Sequence, residues 1–253
     1  TGGAGHVAGE ILLDQDAQAS VVQSFVGDGW SNHAMHVRLR RSARLMLARR
    51  IAHGSGFASL ADDALIGAGA SLTSTLLAEG GGDGRIDLAV CGEGEGAYVE
   101  TGGALLARGS QRHDVNVILR HVAIEGQSRQ IWRAVAEEGG TDSSAARVEV
   151  ARGAQKTDAD QSLRGLLLDR TSTVNLKPEL EIFADDVRCA HGATVGELDA
   201  RALFYLASRG VPPGEARALL VRAFVADALD RIGEEAVRDA FGGHAEAWLG
   251  GGA

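Results

Sequence analysis

Lysine, proline, cysteine and aromatic residues are all scarce in this chain of 253 residues. Its only lysines, Lys156 and Lys177, do not stand in a Gly-Lys-Ser/Thr phosphate loop, which excludes a P-loop ATPase. Three prolines are too few for a proline-rich linker, and 4% aromatic residues offer few surfaces for stacking on sugars. The two distant cysteines, Cys91 and Cys189, cannot build the disulfide framework of a small secreted domain. We therefore expect free thiols.

Missing sequence motifs, the lack of long apolar runs and the negative net charge exclude or disfavour further classes of function. The chain has no His-Glu-x-x-His, Gly-x-Ser-x-Gly or Cys-x-x-Cys motif, so ordinary hydrolase and zinc signatures fail. No apolar run approaches the roughly 18 residues that span a bilayer, and residues 1–10 do not resemble a signal peptide. The net charge of −9 disfavours nucleic acid and anionic membranes as partners. A soluble cytoplasmic protein is the expectation.

Short β-branched and leucine-rich runs dominate residues 6–190. Segments such as 36–40, 85–90 and 115–119 alternate with a period of two, which is typical of strands. Glycine clusters at 80–84 and 92–96 separate them and predict tight corners. Many strands without intervening helices suggest a sandwich, a barrel or a β-solenoid. We find no repeat of fixed length, so an irregular parallel β-helix stays open, and the 35 glycines mildly favour it.

The pattern changes to helical near residue 193. A first helix is expected to open at Thr194–Gly196 and to run to about Ser208, where Gly210 and two prolines end it. A second is expected over 214–232, with an apolar stripe that must be buried, and a third over 234–241. These patterns divide the chain into a β core at 1–192 and a helical domain at 193–253.

Cys189 and His191 are the most informative candidate site. If the segment is extended, the two side chains project from one face of a strand, as half of a site for a thiophilic metal. Two ligands do not define a metal site, and spacing alone favours a small core cysteine beside a hydrogen-bonded histidine. His33 and His36 are weaker metal candidates. His113 and His121 bracket the 115–119 strand, and we expect them to be exposed strand ends.

Four segments around this candidate site closely resemble the SufB/SufD family of iron–sulfur cluster assembly proteins. The resemblance is strongest over residues 147–232, and one departure from it is Ala190, where the family usually has serine. The matching segments are AQKTDADQ at 154–161, KPELEI at 177–182, ADDVRCAHGATVG at 184–196, and LFYL with SRG at 203–210. The chain is much shorter than familiar members, so we expect a short form without most of the family's N-terminal helical domain.

The resemblance implies a mainly β fold, with a right-handed parallel β-helix core followed by a small C-terminal α-helical domain. It implies a scaffold subunit rather than an enzyme, which pairs with SufB through the β-helix and binds the ABC-type ATPase SufC through the C-terminal helices. The residues expected to bind the ATPase are Leu198, Leu203, Phe204, Tyr205, Leu220 and Phe224.

The resemblance also revises the site. His191 and Cys189 match the histidine and cysteine of the family's motif, so they are expected to hold a transient iron–sulfur cluster whose other ligands come from SufB. We expect no tightly bound cofactor in the isolated chain, which could form a homodimer. Two alternatives stay open. The chain could be purely architectural and contribute no cluster ligand, or it could be a β-helix enzyme that acts on polysaccharides.

Overall fold

The computed structural model describes residues 3–250, which form twelve strands followed by three helices. The strands are β1 (Gly3–Leu13), β2 (Gln18–Leu39), β3 (Arg44–Ile66), β4 (Ser71–Gly80), β5 (Asp83–Gly92), β6 (Tyr98–Arg108), β7 (Arg112–His121), β8 (Gln127–Glu137), β9 (Thr141–Val150), β10 (Asp158–Leu167), β11 (Thr173–Ile182) and β12 (Arg188–Glu197). The helices are α1 (Ala200–Ser208), α2 (Pro213–Leu229) and α3 (Glu235–Gly250).

The strands wind into a β-solenoid of about seven turns, and neighbouring strands pair in parallel. β4, β6, β8, β10 and β12 form one face, here called the even sheet, and β5, β7, β9 and β11 form the odd sheet. The long strands β2 and β3 contribute to both faces, because β3 pairs with β4 over its first half and with β5 over its second. The predicted parallel β-helix with a C-terminal helical region is confirmed.

The bend within β3 requires glycine. Gly56 has φ +91°, and a Cβ atom there would lie 2.1 Å from the carbonyl oxygen of Gly29 in the preceding turn. No other residue type fits so close a backbone approach. The chain can therefore pass from one sheet to the other while staying in contact with the turn before it.

One corner of the solenoid carries a left-handed residue in each of six successive turns. The amide of each donates to a carbonyl group of the following turn, as Ser42 does to Ala68 at 2.9 Å and Glu125 to Gln155 at 2.9 Å. A regular structural position therefore exists, although the turns differ in length and the sequence shows no repeat of fixed length. The left-handed residues, with φ between 57° and 66°, are Asp16, Ser42, Gly69, Gly96, Glu125 and Lys156.

Two apolar layers hold the molecule together. Inward-facing leucine, isoleucine and valine side chains of both sheets fill the solenoid, with Leu60, Leu105 and Leu119 fully buried. A second layer lies outside the even sheet, where Leu106 and similar residues pack against Val225 and neighbouring residues of α2 and α3. The buried stripe predicted for the second helix is confirmed.

The helix boundaries differ from the predicted ones. Thr194 and Gly196 belong to β12, where they pair with Arg164 and Leu166 of β10, so a helix opening there is wrong. α1 begins at Ala200 instead, and the side chain of Asp199 caps it. Strand pairing overrides the local capping signal. The division into domains at 192/193 stays a prediction.

The third helix is longer than the sequence pattern indicates. α3 extends to Gly250, because Phe241, Ala245 and Trp248 are buried in the layer outside the even sheet. Both cysteines are free, as predicted. No helix within residues 3–250 has the length and apolar character to cross a membrane.

Candidate functional site at the last turn of the solenoid

β12 is the last strand of the even sheet, and β11 is the last strand of the odd sheet. β12 pairs with β10 from Arg188 to Glu197, and no other strand in the described chain pairs with its outer edge. β11 likewise pairs with β9 alone among residues 3–250. The C-terminal end of the solenoid therefore presents two unpaired strand edges.

Cys189 and His191 lie on this exposed last strand. The extended conformation predicted for their segment is confirmed, and alternation along β12 places both side chains on one face. Cys189 is in register with Ala159, and His191 is in register with Gln161. Cys189 is half-buried against a small apolar cluster at the end of the solenoid, whereas His191 is exposed.

His191 continues a column of polar side chains inside the solenoid. Gln130 and Gln161 donate hydrogen bonds to carbonyl groups of β9 in the opposite sheet, so their side chains point inward. Thr101, Gln130, Gln161 and His191 follow one another in register through four turns. His191 thus faces the interior by register but is open to solvent, because no further turn of residues 3–250 covers β12.

The surroundings of Cys189 favour its thiol form. Burial raises the pKa of the Cys189 thiol, a hydrogen bond from the amide of Ala159 opposes that shift, and the negative charge of Asp158 adds to it. Metal binding needs the thiolate, so a metal would have to displace the proton. Nowhere in residues 3–250 do three His, Cys, Asp or Glu side chains come together as a metal site. His191 and Cys189 are therefore two donors without a complete ligand set in this part of the chain.

The remaining histidines are differently placed. His113 and His121 are 1% and 0% exposed, so the expectation that they are exposed strand ends is wrong. Both face inward, where the ring of His113 pairs with Asp142 and that of His121 bonds to Ser128. His36 pairs with Asp63, which explains this histidine without a metal.

The AQKTD segment supports the site from the adjacent corner. Thr157 is buried and donates to the carbonyl oxygen of Ala154 at 2.8 Å, while the side-chain oxygen of Gln155 accepts from the amide of Asp186 at 2.9 Å. Lys156 is one of the left-handed corner residues. These contacts connect the corner before β10 to the corner before β12, and they give this segment a structural role.

The six residues expected to bind an ATPase fall into two groups. Phe204 and Tyr205 on α1 are 77% and 57% exposed, and no residue of α1 is buried. Leu198 and Phe224 instead pack partly against the layer outside the even sheet. The other two, Leu203 and Leu220, are half-buried. Only the α1 aromatics therefore form a largely solvent-exposed pair.

The fold is that of a parallel β-helix protein. Its C-terminal helices cover the outer face of the even sheet, and no further strand of residues 3–250 covers its last turn. Residues 5–224 match the family model for the SufBD core domain of SUF system FeS cluster assembly. The chain belongs to the SufBD family.

Named relatives agree with this assignment. The chain is 29% identical over 248 residues to "Protein ABCI7, chloroplastic" of Arabidopsis thaliana, covering 94% of this chain and 52% of that protein. It is 27% identical over 242 residues to iron-sulfur cluster assembly protein SufD of Escherichia coli, covering 92% and 56%. A SufBD family protein of Synechocystis is 41% identical over 107 residues, which cover 42% and 24%. The chain spans about half the length of the first two relatives.

Proposed function

We propose that the chain is a noncatalytic scaffold subunit of an iron–sulfur cluster assembly complex. In this proposal His191, and with it Cys189, holds a nascent cluster at a junction with a second polypeptide. The observation that carries the proposal is the position of both donors on β12, the exposed last strand whose outer edge has no partner within residues 3–250.

The unpaired edges of β11 and β12 support a partner that adds strands to this end of the solenoid. Such edges expose backbone donors and acceptors that readily pair with another chain. Phe183, which directly follows β11, and Val195, which lies on β12, are 62% and 45% exposed. SufB is the partner that the family resemblance implies. When SufB is absent, the same edges would join two copies of this chain.

The incomplete ligand set fits a shared, transient cluster. An iron–sulfur cluster usually takes four protein ligands, and this site offers two. The remaining ligands would come from SufB, with the cluster as cargo rather than as a resident cofactor. The raised pKa of the Cys189 thiol adds a cost to metal binding by this residue, so His191 is the better-supported ligand.

The helical region supports a separate role. α1 projects Phe204 and Tyr205 into solvent, and exposed aromatic pairs of this kind are typical anchors of protein interfaces. The family's ATPase SufC is the proposed partner of this surface. The absence of a phosphate loop in the sequence agrees with ATP hydrolysis by a partner.

The test is anaerobic co-purification of the full-length protein with SufB and SufC, followed by iron and acid-labile sulfide assays. His191→Ala should lower the cluster content at least about tenfold. Mutation of a residue that merely hydrogen-bonds to a metal ligand already lowers metal affinity by about 10- to 100-fold, and loss of the ligand itself should cost at least as much. His6→Ala is the matched control, since His6 is also exposed but lies on β1 at the opposite end of the solenoid.

Cys189→Ala, assayed alongside, separates the two donors. Loss of cluster in both variants, with the complex intact, supports a shared site. An intact complex with normal cluster content in His191→Ala would contradict a ligand role and favour the purely architectural alternative.

A further inference from the structure

Helix α2 and the residue two positions beyond its end make three ion pairs of alternating sign with the even sheet. Arg217 contacts Glu137 at 3.3 Å, Asp227 pairs with Arg133, and Arg231 lies 3.5 Å from Glu100. On the sheet side, Glu137, Arg133 and Glu100 are largely buried. Glu137 is also paired with Arg108 of β6, whereas Asp227 is the only acidic partner of Arg133 among the described residues.

On the sheet side, Arg133 also holds the next turn of the solenoid through its guanidinium, and Arg217 of α2 reaches the same turn at the carbonyl oxygen of Leu168. Nε of Arg133 donates to Oδ2 of Asp227 at 2.9 Å. Nη1 donates to the carbonyl oxygen of Ser162 at 2.8 Å, and Nη2 donates to the Ser162 hydroxyl at 3.1 Å. The planar fork of one arginine therefore joins α2, β8 and β10.

Arg133 is poorly accommodated without Asp227. Its side chain is 3% exposed. Burial lowers the pKa of Arg133, and the positive charges of Arg164 and Arg231 lower it further, while the hydrogen bond and charge of Asp227 raise it. The position of the fork is thus coupled to the presence of α2.

Ser162 lies beside the candidate site. It is in register with Gly192, and the preceding residue Gln161 is in register with His191. β10 is the only strand of residues 3–250 that pairs with β12, so the position of β12 depends on β10. The contacts run without interruption from Asp227 through Arg133 and Ser162 to the strand that carries His191.

We propose that Asp227 is a positioning residue for His191, acting through Arg133 and Ser162. The relevance of this link to cluster assembly rests on the proposed function, whereas the link itself is a property of the chain alone.

Three variants of the full-length protein test the link by amide hydrogen exchange, read separately on β10–β12 and on α2. Asp227→Asn removes the charge at nearly constant shape and should raise exchange in both regions. Arg133→Lys keeps the charge opposite Asp227 but loses the fork, so it should raise exchange in β10–β12 and leave α2 protected. Arg231→Gln breaks the contact between the segment just beyond α2 and Glu100 on β6, and should raise exchange at the C-terminal end of α2 alone.

We expect increases of about tenfold, which correspond to about 1.4 kcal/mol of local opening free energy. A second readout is the imidazole NMR signal of His191, which should shift in Asp227→Asn and in Arg133→Lys but not in Arg231→Gln. Thermal unfolding of each variant checks that the fold is retained, and if Asp227→Asn unfolds, Arg133→Lys carries the test.

Two results would overturn the proposal. One is unchanged β10–β12 exchange in Asp227→Asn and Arg133→Lys. The other is an equal increase in Arg231→Gln, because β12 would then respond to any loosening of α2. Neither measurement requires SufB, SufC or a cluster, so failure here is distinguishable from failure of the His191→Ala assembly assay.

Discussion

His191 lies in register with Gln161 on the neighbouring strand, yet Gln161 is 1% exposed and His191 is open to solvent. The difference arises because Gln161 is covered by β12 and, within residues 3–250, nothing covers β12 in turn. The same inward-facing column therefore changes from a buried structural position to an accessible one within a single turn.

Gln161 should tolerate an apolar substitution better than a charged one. Its amide nitrogen donates to the carbonyl oxygen of Ala146 at 2.9 Å, while its side-chain oxygen is buried without a hydrogen-bond partner among the described residues. Gln161→Leu removes one hydrogen bond, which is destabilising, and one buried oxygen without a partner, which is stabilising. We therefore expect the free energy of unfolding to change by no more than about 1 kcal/mol. Gln161→Glu buries a carboxylate and should lower the free energy of unfolding by at least about 2 kcal/mol at pH 7. Urea titration of both variants measures this, and equal effects would contradict it.

His113 and Asp142 form a fully buried pair joined at 3.0 Å, and burial raises the pKa of Asp142 although the His113 bond opposes the shift. Removing only one member leaves the other unpaired, so His113→Leu or Asp142→Leu alone should cost about 3–5 kcal/mol. The double variant His113→Leu/Asp142→Leu should recover most of this loss. Denaturant unfolding of the two single variants and the double variant gives the coupling energy. Simple additivity of the two losses would argue against a coupled pair.

His121 should make stability depend on pH under mildly acidic conditions. Burial lowers the pKa of His121 from 6.5 to about 4. Below pH 6.5 His121 is protonated in the unfolded chain but stays neutral in the folded chain. The free energy of unfolding therefore falls as the pH drops toward 4. Within this window the contribution is about 1.4 kcal/mol per pH unit.

The contribution of His121 can be isolated from that of the carboxylates by comparing slopes. His121→Gln removes the titrating ring, so its plot of unfolding free energy against pH should be flatter than that of the unchanged protein between pH 4 and 6.5. Parallel plots for the two proteins would show that His121 does not titrate in this way.

The left-handed corner column predicts a stabilising substitution at Lys156. A φ of 60° destabilises a residue that has a Cβ atom by about 1–2 kcal/mol, and glycine avoids this strain. Part of the gain is offset because glycine increases the conformational entropy of the unfolded chain. Lys156→Gly should raise the free energy of unfolding by about 0.5–1 kcal/mol, as measured by urea titration. Lys156→Ala keeps the strain and loses the same exposed ion pair with Glu125, so it should give no gain. A gain in both variants would point to the charge instead of the backbone.

The exposed aromatics of α1 should matter for partner binding and hardly at all for folding. Replacing Phe204 and Tyr205 by serine should leave the melting temperature nearly unchanged, since both side chains are largely in solvent. Capture of SufC by the full-length variant should fall at least about tenfold, as expected for loss of interface anchors.

Trp30→Ser provides the matched control for this experiment. Trp30 is 60% exposed but lies on β2, at the other end of the solenoid, so its loss should not affect SufC capture. Equal capture by the α1 double variant and the unchanged protein would exclude this surface as the ATPase site.

Several features could be predicted from the sequence because they depend on local patterns. Period-two alternation indicates strands, the apolar stripe of residues 220–232 indicates a buried helix face, and the spacing of Cys189 and His191 places them on one side of a strand. The motifs around these two residues also identify the family before any fold is known.

The burial of individual side chains, the extent of the last strand and contacts between distant residues depended on the tertiary structure. His113 and His121 are buried because other turns stack on both sides of β7, and Thr194 is extended because β10 pairs with its segment. Arg133 and Asp227 are 94 residues apart, so no local pattern could join them.

The sequence by itself therefore determined the alternating strand segments, the buried face of the second helix and the side chains that could bind a metal, because these follow from residue type and near-neighbour spacing. Only the tertiary structure decided which of these side chains are accessible. In a solenoid, exposure depends on the number of turns stacked above a residue, and His191 is accessible because it lies on the last strand.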